Sequence, residues 1–219
     1  MIELHYYPSN ASLAPHVVLH ELGVPFNKVL VDRTVQAHKA PAYLALNPNG
    51  LIPVLRDGDL VLYESAAICL HLADRHPDAR LAPPVGSDQR AQLYKWLMWM
   101  TNTLQATLIH YFYPDRMVDE GNTAAAEQIR AHAQARVSGL LEQLDNEFAR
   151  HGKPWLLGDE YSVADAYAFM LCRWTRGFTD AATPPARDRA HLGPFLQRML
   201  ARPAVQRVIA DEGLQAPWI

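Results

Sequence analysis

The sequence predicts a small α/β domain followed by an all-helical one. Three observations predict it. Two strand-like runs flank one amphipathic helix in the first thirty or so residues. The stretch NPNGLIPVLRDGDLVLYESAAICL, 47–70, reads as strand, tight turn, strand, helix. Beyond the Pro/Gly-rich ARLAPPVGS, 79–87, every periodic signal is helical. The expected organisation is an α/β domain over 1–78, a linker over 79–87 and an α domain over 88–219.

Ile2 to Tyr7 alternates as a strand does, with Ile2, Leu4 and Tyr6 on one face. Pro8 to Ala11 is a loop, and Ser12 is placed to cap the helix that carries Leu13, Val17 and Leu22 and stops at Gly23. Phe26 to Val31 is a second strand, which completes a βαβ unit with a parallel pair. Residues 32–46 are irregular or briefly helical. Pro53 cannot donate to a ladder, so it opens a strand or sits at an edge, and Ile52-Pro53 is a candidate cis bond. Asp57-Gly58 is a hairpin signal between two apolar runs, and a helix follows through about Arg75. The sum is βαβ followed by ββα, a four-stranded mixed sheet with helices packed on it.

In the second domain Asp88 is expected to cap a long helix with Leu93, Leu97, Met100, Leu104 and Leu108 at spacings of three and four, ended or kinked at Tyr113-Pro114. Another long helix starts near Thr123 with the stripe Ile129, Ala133, Val137, Leu140, Leu144 and Phe148, and Gly152 closes it. Later helices start near Ser162, Pro194 and Pro203. Ser162-Val163-Ala164-Asp165 resembles a capping box, with Asp in place of Glu, and reads as a folding element.

The chain has 219 residues, of which 49% are hydrophobic and 20% charged, as in ordinary globular proteins. Its net charge is −3 with no Lys/Arg block, which argues against nucleic acid and anionic membrane as partners. The apolar runs are too short to span a bilayer, and MIELHYYPS lacks the pattern of a signal peptide. Cys69 and Cys172 lie far apart, outside any CxxC, and read as buried free thiols. A cytoplasmic location is the expectation. His16 and His20 have the i, i+4 spacing of helical metal pairs, but no HExxH and no third ligand accompanies them, so no metal is expected.

Chemistry concentrates in 47–70. Glu64-Ser65 precedes Ala66-Ala67-Ile68, where backbone N–H groups at a helix start can hold an anion. The residue before Pro53, Ile52, can offer its N–H and C=O to an extended peptide.

Taken in order, NPNGLIPVL, YESAAI and PWLLGDEYSVADAYAF (154–169) resemble the motifs of cytosolic glutathione transferases, and the resemblance covers essentially the whole chain. YYPSNASLAPH and RMLARPAVQ are most similar to the bacterial beta type. The resemblance implies a thioredoxin-like first domain that binds glutathione as cosubstrate, with no permanently bound cofactor, in a homodimer. It implies that Ile52 and Pro53 pair with the cysteinyl unit, Glu64 and Ser65 with the γ-glutamyl end, and His38, or Lys39 in second place, with the glycine carboxylate. Ser12, then Asn10, then Ser9, are the candidates that keep the sulfur ionised. Asn102, Gln105, His110 and Tyr113, with Tyr111, are candidates for the pocket of the acceptor, a small hydrophobic electrophile. Trp96, Trp99 and Met100 fall to the core or a dimer interface, and Arg173, Trp174 and Arg176 either close the pocket or form a solvated face. The sequence departs from the beta pattern at Ala11, where that type has cysteine, and at Gln105-Ala106, where it has histidine-lysine. The expected reaction is conjugation of the glutathione thiolate to the electrophile. Glutathione-dependent disulfide or peroxide reduction and a catalytically silent glutathione-binding protein are the alternatives.

Overall fold

A computed structural model describes residues 1–219. The chain forms two compact units, Met1–Pro83 with Met199–Ala216, and Pro84–Arg198 with Pro217–Ile219. No helix is long and apolar enough to cross a membrane.

The first unit is built on a four-stranded sheet in the order β2-β1-β3-β4. β1 (Ile2–Tyr6) runs parallel to β2 (Phe26–Leu30) and antiparallel to β3 (Val54–Asp57), which pairs with β4 (Leu60–Tyr63). The hairpin turns at Gly58-Asp59, with Gly58 at φ 62°, and Asp57 pairs with Leu60 to close the ladder. Pro53 stands immediately before β3, in a cis bond to Ile52, where its missing N–H costs the ladder nothing.

α1 (Leu13–Leu22) ends at Gly23, whose φ of 66° suits glycine. Residues 13–19 of α1 are all buried, because it packs against both α3 (Ser65–Arg75) and α9 (Pro203–Asp211). α2 (Pro41–Leu44) is the brief helix expected between β2 and β3. Two sequence expectations are corrected here. Ser12 precedes α1 but makes no capping bond with its side chain; the hydroxyl turns back to Tyr7 instead. Residues 199–216 belong to the first unit rather than to the helical domain, since α9 has an apolar face that α1 covers.

In the second unit the long helix begins at Asp88, but the cap is Ser87, whose Oγ accepts from Arg90 N–H at 3.1 Å. That helix continues as α4 (Asp88–Trp99), a π-helical segment (Met100–Gln105) and α5 (Ala106–Phe112). Trp96 and Met100 are in the core. α6 (Thr123–His151) is capped by Asn122 and closed by Gly152. Its buried stripe is Ala126, Ala133, Val137, Leu141, Leu144 and Phe148, so Leu141 rather than Leu140 faces inward. α8 (Leu192–Leu200) follows an irregular stretch, and Asp145 of α6 accepts from the N–H groups of His191 and Leu192 at its start. Arg173 is fully buried and forms no part of a solvated face.

α7 (Val163–Trp174) is buried along nearly its whole length and organises the unit. Asp165, with no exposed surface, accepts from Leu156 N–H and Ser162 N–H, both at 2.8 Å, and from the Ser162 hydroxyl at 3.1 Å. One carboxylate thereby fixes both the start of α7 and the turn before it. Asp165→Ala leaves those donors buried without acceptors and is expected to cost about 2–4 kcal/mol. Chemical denaturation reads the loss, and near-wild-type stability would refute the assignment.

Candidate functional site

The candidate site lies in the first unit, where the loop after β1, the segment before β3 and the start of α3 meet. Its floor is an apolar cluster of Val31, Tyr43, Ile52 and Val54, with Tyr7, Leu46 and Tyr63 packed against it.

The segment before β3 is held by side chains that leave Ile52 alone. Leu51 C=O accepts from the Tyr43 hydroxyl and from Asn47 Nδ2, each at 2.8 Å. Burial pushes the Tyr43 phenol well above its ordinary range, so it remains a donor. Asn47 also closes the local turn, accepting from Asn49 N–H at 3.1 Å through Oδ1 and from Gly50 N–H at 2.9 Å through its carbonyl. Gly50 has φ 59°, and a Cβ there would lie 2.9 Å from His38 O and 2.8 Å from Lys39 Nζ. Glycine thus lets the His38-Lys39 turn approach this segment. His38 is half-buried; Lys39 is exposed, with Nζ 3.4 Å from Asn49 O.

Glu64 opens α3 from a φ of 73°, a conformation that side chains other than glycine seldom adopt. It is exposed, while Ser65 and Ala66 behind it are buried. Ile68 N–H takes the first helical bond to Glu64 O, leaving the preceding N–H groups as the orphan donors of the helix start. The Ser65 hydroxyl donates to Ala11 O at 2.9 Å. Its one proton is therefore committed to the loop, and the donors left open at this helix start are backbone N–H groups rather than this hydroxyl.

The three candidate donors after β1 differ in availability. Ser12 is fully buried; its Oγ donates to Tyr7 O at 3.1 Å and lies 3.3 Å from Tyr7 N. Asn10 is half-exposed and uses only its Oδ1, which accepts from Ala11 N–H at 2.7 Å; its amide donors are unspent. Ser9 sits at φ 62°, with its N–H on Glu212 Oε2 at 2.8 Å. The thiols compete for none of these roles. Both are buried, and burial pushes Cys172 up to about 12 and raises Cys69 further.

In the second unit, Asn102 and His110 are exposed and Tyr113 is half-buried at the end of α5, under the Arg116 guanidinium. Gln105 accepts from the Tyr167 hydroxyl. Asn102 and Gln105 both lie on the π-helical segment, an irregularity that often marks functional positions.

Residues 8–75 match the family described as glutathione S-transferase, N-terminal domain, and 99–203 its C-terminal domain. Glutathione S-transferase GstA of Escherichia coli O157:H7 is 32% identical over 98% of this chain and 100% of its own. The chain belongs to the glutathione S-transferase family. A sphingomonad glutathione S-transferase solved with glutathione shares 33% identity and a TM-score of 0.81 over 97% of this chain and 100% of its own. A glutathione transferase homologue from Sulfitobacter, also with bound glutathione, superposes with a TM-score of 0.86 at 26% identity, over 98% of this chain and 99% of its own.

Within this transferase, sequence reasoning missed Tyr43 and Glu212. The NPNG turn signalled Asn47 as a loop former but not as an anchor of Leu51. Nothing local could have pointed to Glu212, which comes from the far end of the chain. Ser65→Ala removes the tie to the loop and leaves Ala11 O buried without that donor. The expected loss is about 1–3 kcal/mol in denaturant unfolding. An unchanged midpoint would show that the tie carries no weight.

Proposed function

We propose that this transferase binds glutathione along 51–65 and adds its thiolate to small hydrophobic electrophiles. The observation that carries the reading is the bond from Ser65 to Ala11, which holds the anion-ready start of α3 beside the loop that carries the candidate sulfur donors. Ile52 N–H and C=O, outside the ladder and next to Pro53, pair with the cysteinyl unit. Glu64 pairs with the γ-glutamyl ammonium, and the N–H groups opening α3 take its carboxylate. His38 and Lys39 serve the glycine carboxylate.

Asn10 is assigned as the donor to the sulfur, because its amide N–H groups are unspent while the Ser12 hydroxyl is buried against Tyr7. Ser12 then acts by positioning the loop. A donor held at the sulfur favours the thiolate over the thiol. The thiol proton leaves to solvent, the sulfur lone pair forms the S–C bond, and any leaving group departs with its electron pair. Binding both reactants converts a bimolecular step into a nearly unimolecular one. Asn102, His110 and Tyr113 are assigned to the acceptor, whereas Gln105 is a strut to Tyr167. A disulfide-exchange cycle through an enzyme thiol is disfavoured, since Ala11 occupies the loop and both cysteines are buried.

The working form is assigned as a cytoplasmic homodimer. Leu60 and Val61 on edge strand β4, and Tyr94 and Met98 on α4, are large apolar side chains left exposed in the single chain. The two buried free cysteines fit a reducing compartment.

Two measurements test the site. Glutathione resin retains the wild type and not Glu64→Ala; equal retention of the two would count against 51–65 as the binding segment. The thiol of bound glutathione, titrated by thiolate absorbance, rises by about one to two pH units in Asn10→Ala, as expected for losing a bond to a charged group. Arylation of a chlorinated nitroarene then falls by about 10–100-fold at neutral pH. Ser12→Ala lowers stability without moving the titration. The reverse pattern, Ser12→Ala moving it and Asn10→Ala not, would return the role to the serine.

A further inference from the structure

Opposite ends of the chain bring three metal-binding side chains together in the first unit. His16 and His20 lie one helical turn apart on α1, and Asp211 ends α9. One ligand atom from each lies within 4.8 Å of the other two. Asp211 Oδ2 is 3.1 Å from His20 Nε2 and 3.7 Å from His16 Nε2. A tetrahedral Zn2+ about 2.0–2.1 Å from each nitrogen or oxygen puts neighbouring ligand atoms about 3.3 Å apart. The two carboxylate–imidazole separations bracket that value, and the two imidazole nitrogens, within 4.8 Å of each other, reach it by side-chain rotation.

A second observation distinguishes this cluster from a chance surface grouping. His16 is completely buried, and its Nε2 has no hydrogen-bond partner. Its other nitrogen, Nδ1, lies 2.9 Å from Oε1 of Glu212, whose side chain is also fully buried. A carboxylate accepts, so Nδ1 carries the proton and the unshared pair is on Nε2, aimed at Asp211. That carboxylate–histidine relay is the outer support that fixes the tautomer of metal-binding imidazoles. Phe26 packs edge-on against both rings, with centroids 5.7 Å from His16 and 5.2 Å from His20, and restrains them. In the cation-free chain His20 Nε2 donates to Asp211 Oδ2 at 3.1 Å, so a cation takes the place of that proton, which moves to Nδ1 or to solvent. The C-terminal end of α9 favours positive charge at Asp211.

We propose that His16 Nε2, His20 Nε2 and a carboxylate oxygen of Asp211 form a site for a divalent d-block cation, Zn2+ by ligand type, with Glu212 orienting His16 from behind. Two imidazoles and one carboxylate suit Zn2+ far better than Mg2+ or Ca2+, which take oxygen ligands. The fourth position is left to water. The cation clips α1 to the end of α9. Through Glu212, which also accepts from Ser9 N–H, the clip reaches the loop after β1. Lys28 is the built-in competitor: its Nζ lies 3.2 Å from Asp211 Oδ2 and donates to Asp211 O at 3.3 Å. Zn2+ must displace this ammonium from the carboxylate, which sets a ceiling on affinity.

The test uses the full chain, stripped with a chelator and titrated with Zn2+ by calorimetry, with Co2+ absorption as a report on tetrahedral geometry. One cation per chain is expected. His20→Gln and Asp211→Asn, both outside the fully buried core, should each weaken binding by at least about tenfold, and Glu212→Gln by about 10–100-fold. Lys28→Met should tighten it, whereas His132→Gln, an exposed histidine on α6, should leave it unchanged. The proposal is overturned if no cation binds, if binding survives in both His20→Gln and Asp211→Asn, or if it is His132→Gln that abolishes it.

Discussion

The Ser65 hydroxyl reaches across 54 residues to the Ala11 carbonyl, and the geometry of the candidate site depends on that buried bond. It joins the two parts that, in the proposed site, face the tripeptide at once: the helix start that can hold a carboxylate and the loop that carries the candidate sulfur donors. A serine at the head of a helix is usually read as a cap for its own backbone. Here the hydroxyl looks away from its helix, and the orphan N–H groups stay available for a ligand anion. The first helical residue therefore sets the distance between the two halves, and the helix end is left open for the ligand we propose there.

The same economy recurs at Ser12. Its hydroxyl bonds both polar groups of Tyr7 and so folds the loop after β1 back on the strand that produced it. With Ser12 spent on shape, the group we propose for the chemistry is Asn10, whose Oδ1 accepts from the next N–H. An amide fixed through its oxygen presents its nitrogen, and an N–H donor is what a thiolate needs. The departure from the beta pattern at Ala11 is consistent with this: small and buried at that position, it supplies its carbonyl to Ser65 rather than a side chain to the substrate.

Elements governed by local rules were legible in the sequence. The four strands and their mixed pairing follow from βαβ and a hairpin, Pro53 announced the start of β3, and Gly23 and Gly152 marked helix ends through their left-handed φ. The site was legible where a motif is contiguous, as at Ile52-Pro53 and Glu64-Ser65. It was illegible where a side chain chooses between a near and a far partner. Ser12, Ser65 and Asp88 all read as caps or ligands by residue type, yet tertiary partners or a neighbouring serine claimed those roles. Glu64 gave no sign of its φ of 73°, because a strained conformation is imposed by the surrounding fold.

The last helix shows the limit most clearly. Read alone, 203–213 is one more amphipathic helix after several others, and its natural assignment is to the helical domain. In the structure it covers α1, and its final two acids meet two histidines nearly two hundred residues upstream: His16 and Glu212 are 196 positions apart. A buried imidazole N–H needs an acceptor, and a carboxylate without exposed surface needs donors. Glu212 answers both demands by accepting one hydrogen bond from His16 Nδ1–H and one from Ser9 N–H. The return of the chain is thus more than a lid on apolar surface. It ties the far terminus to the loop that carries the candidate sulfur donors, adding a bond at Ser9 to those that Ser12 and Ser65 make with the same loop.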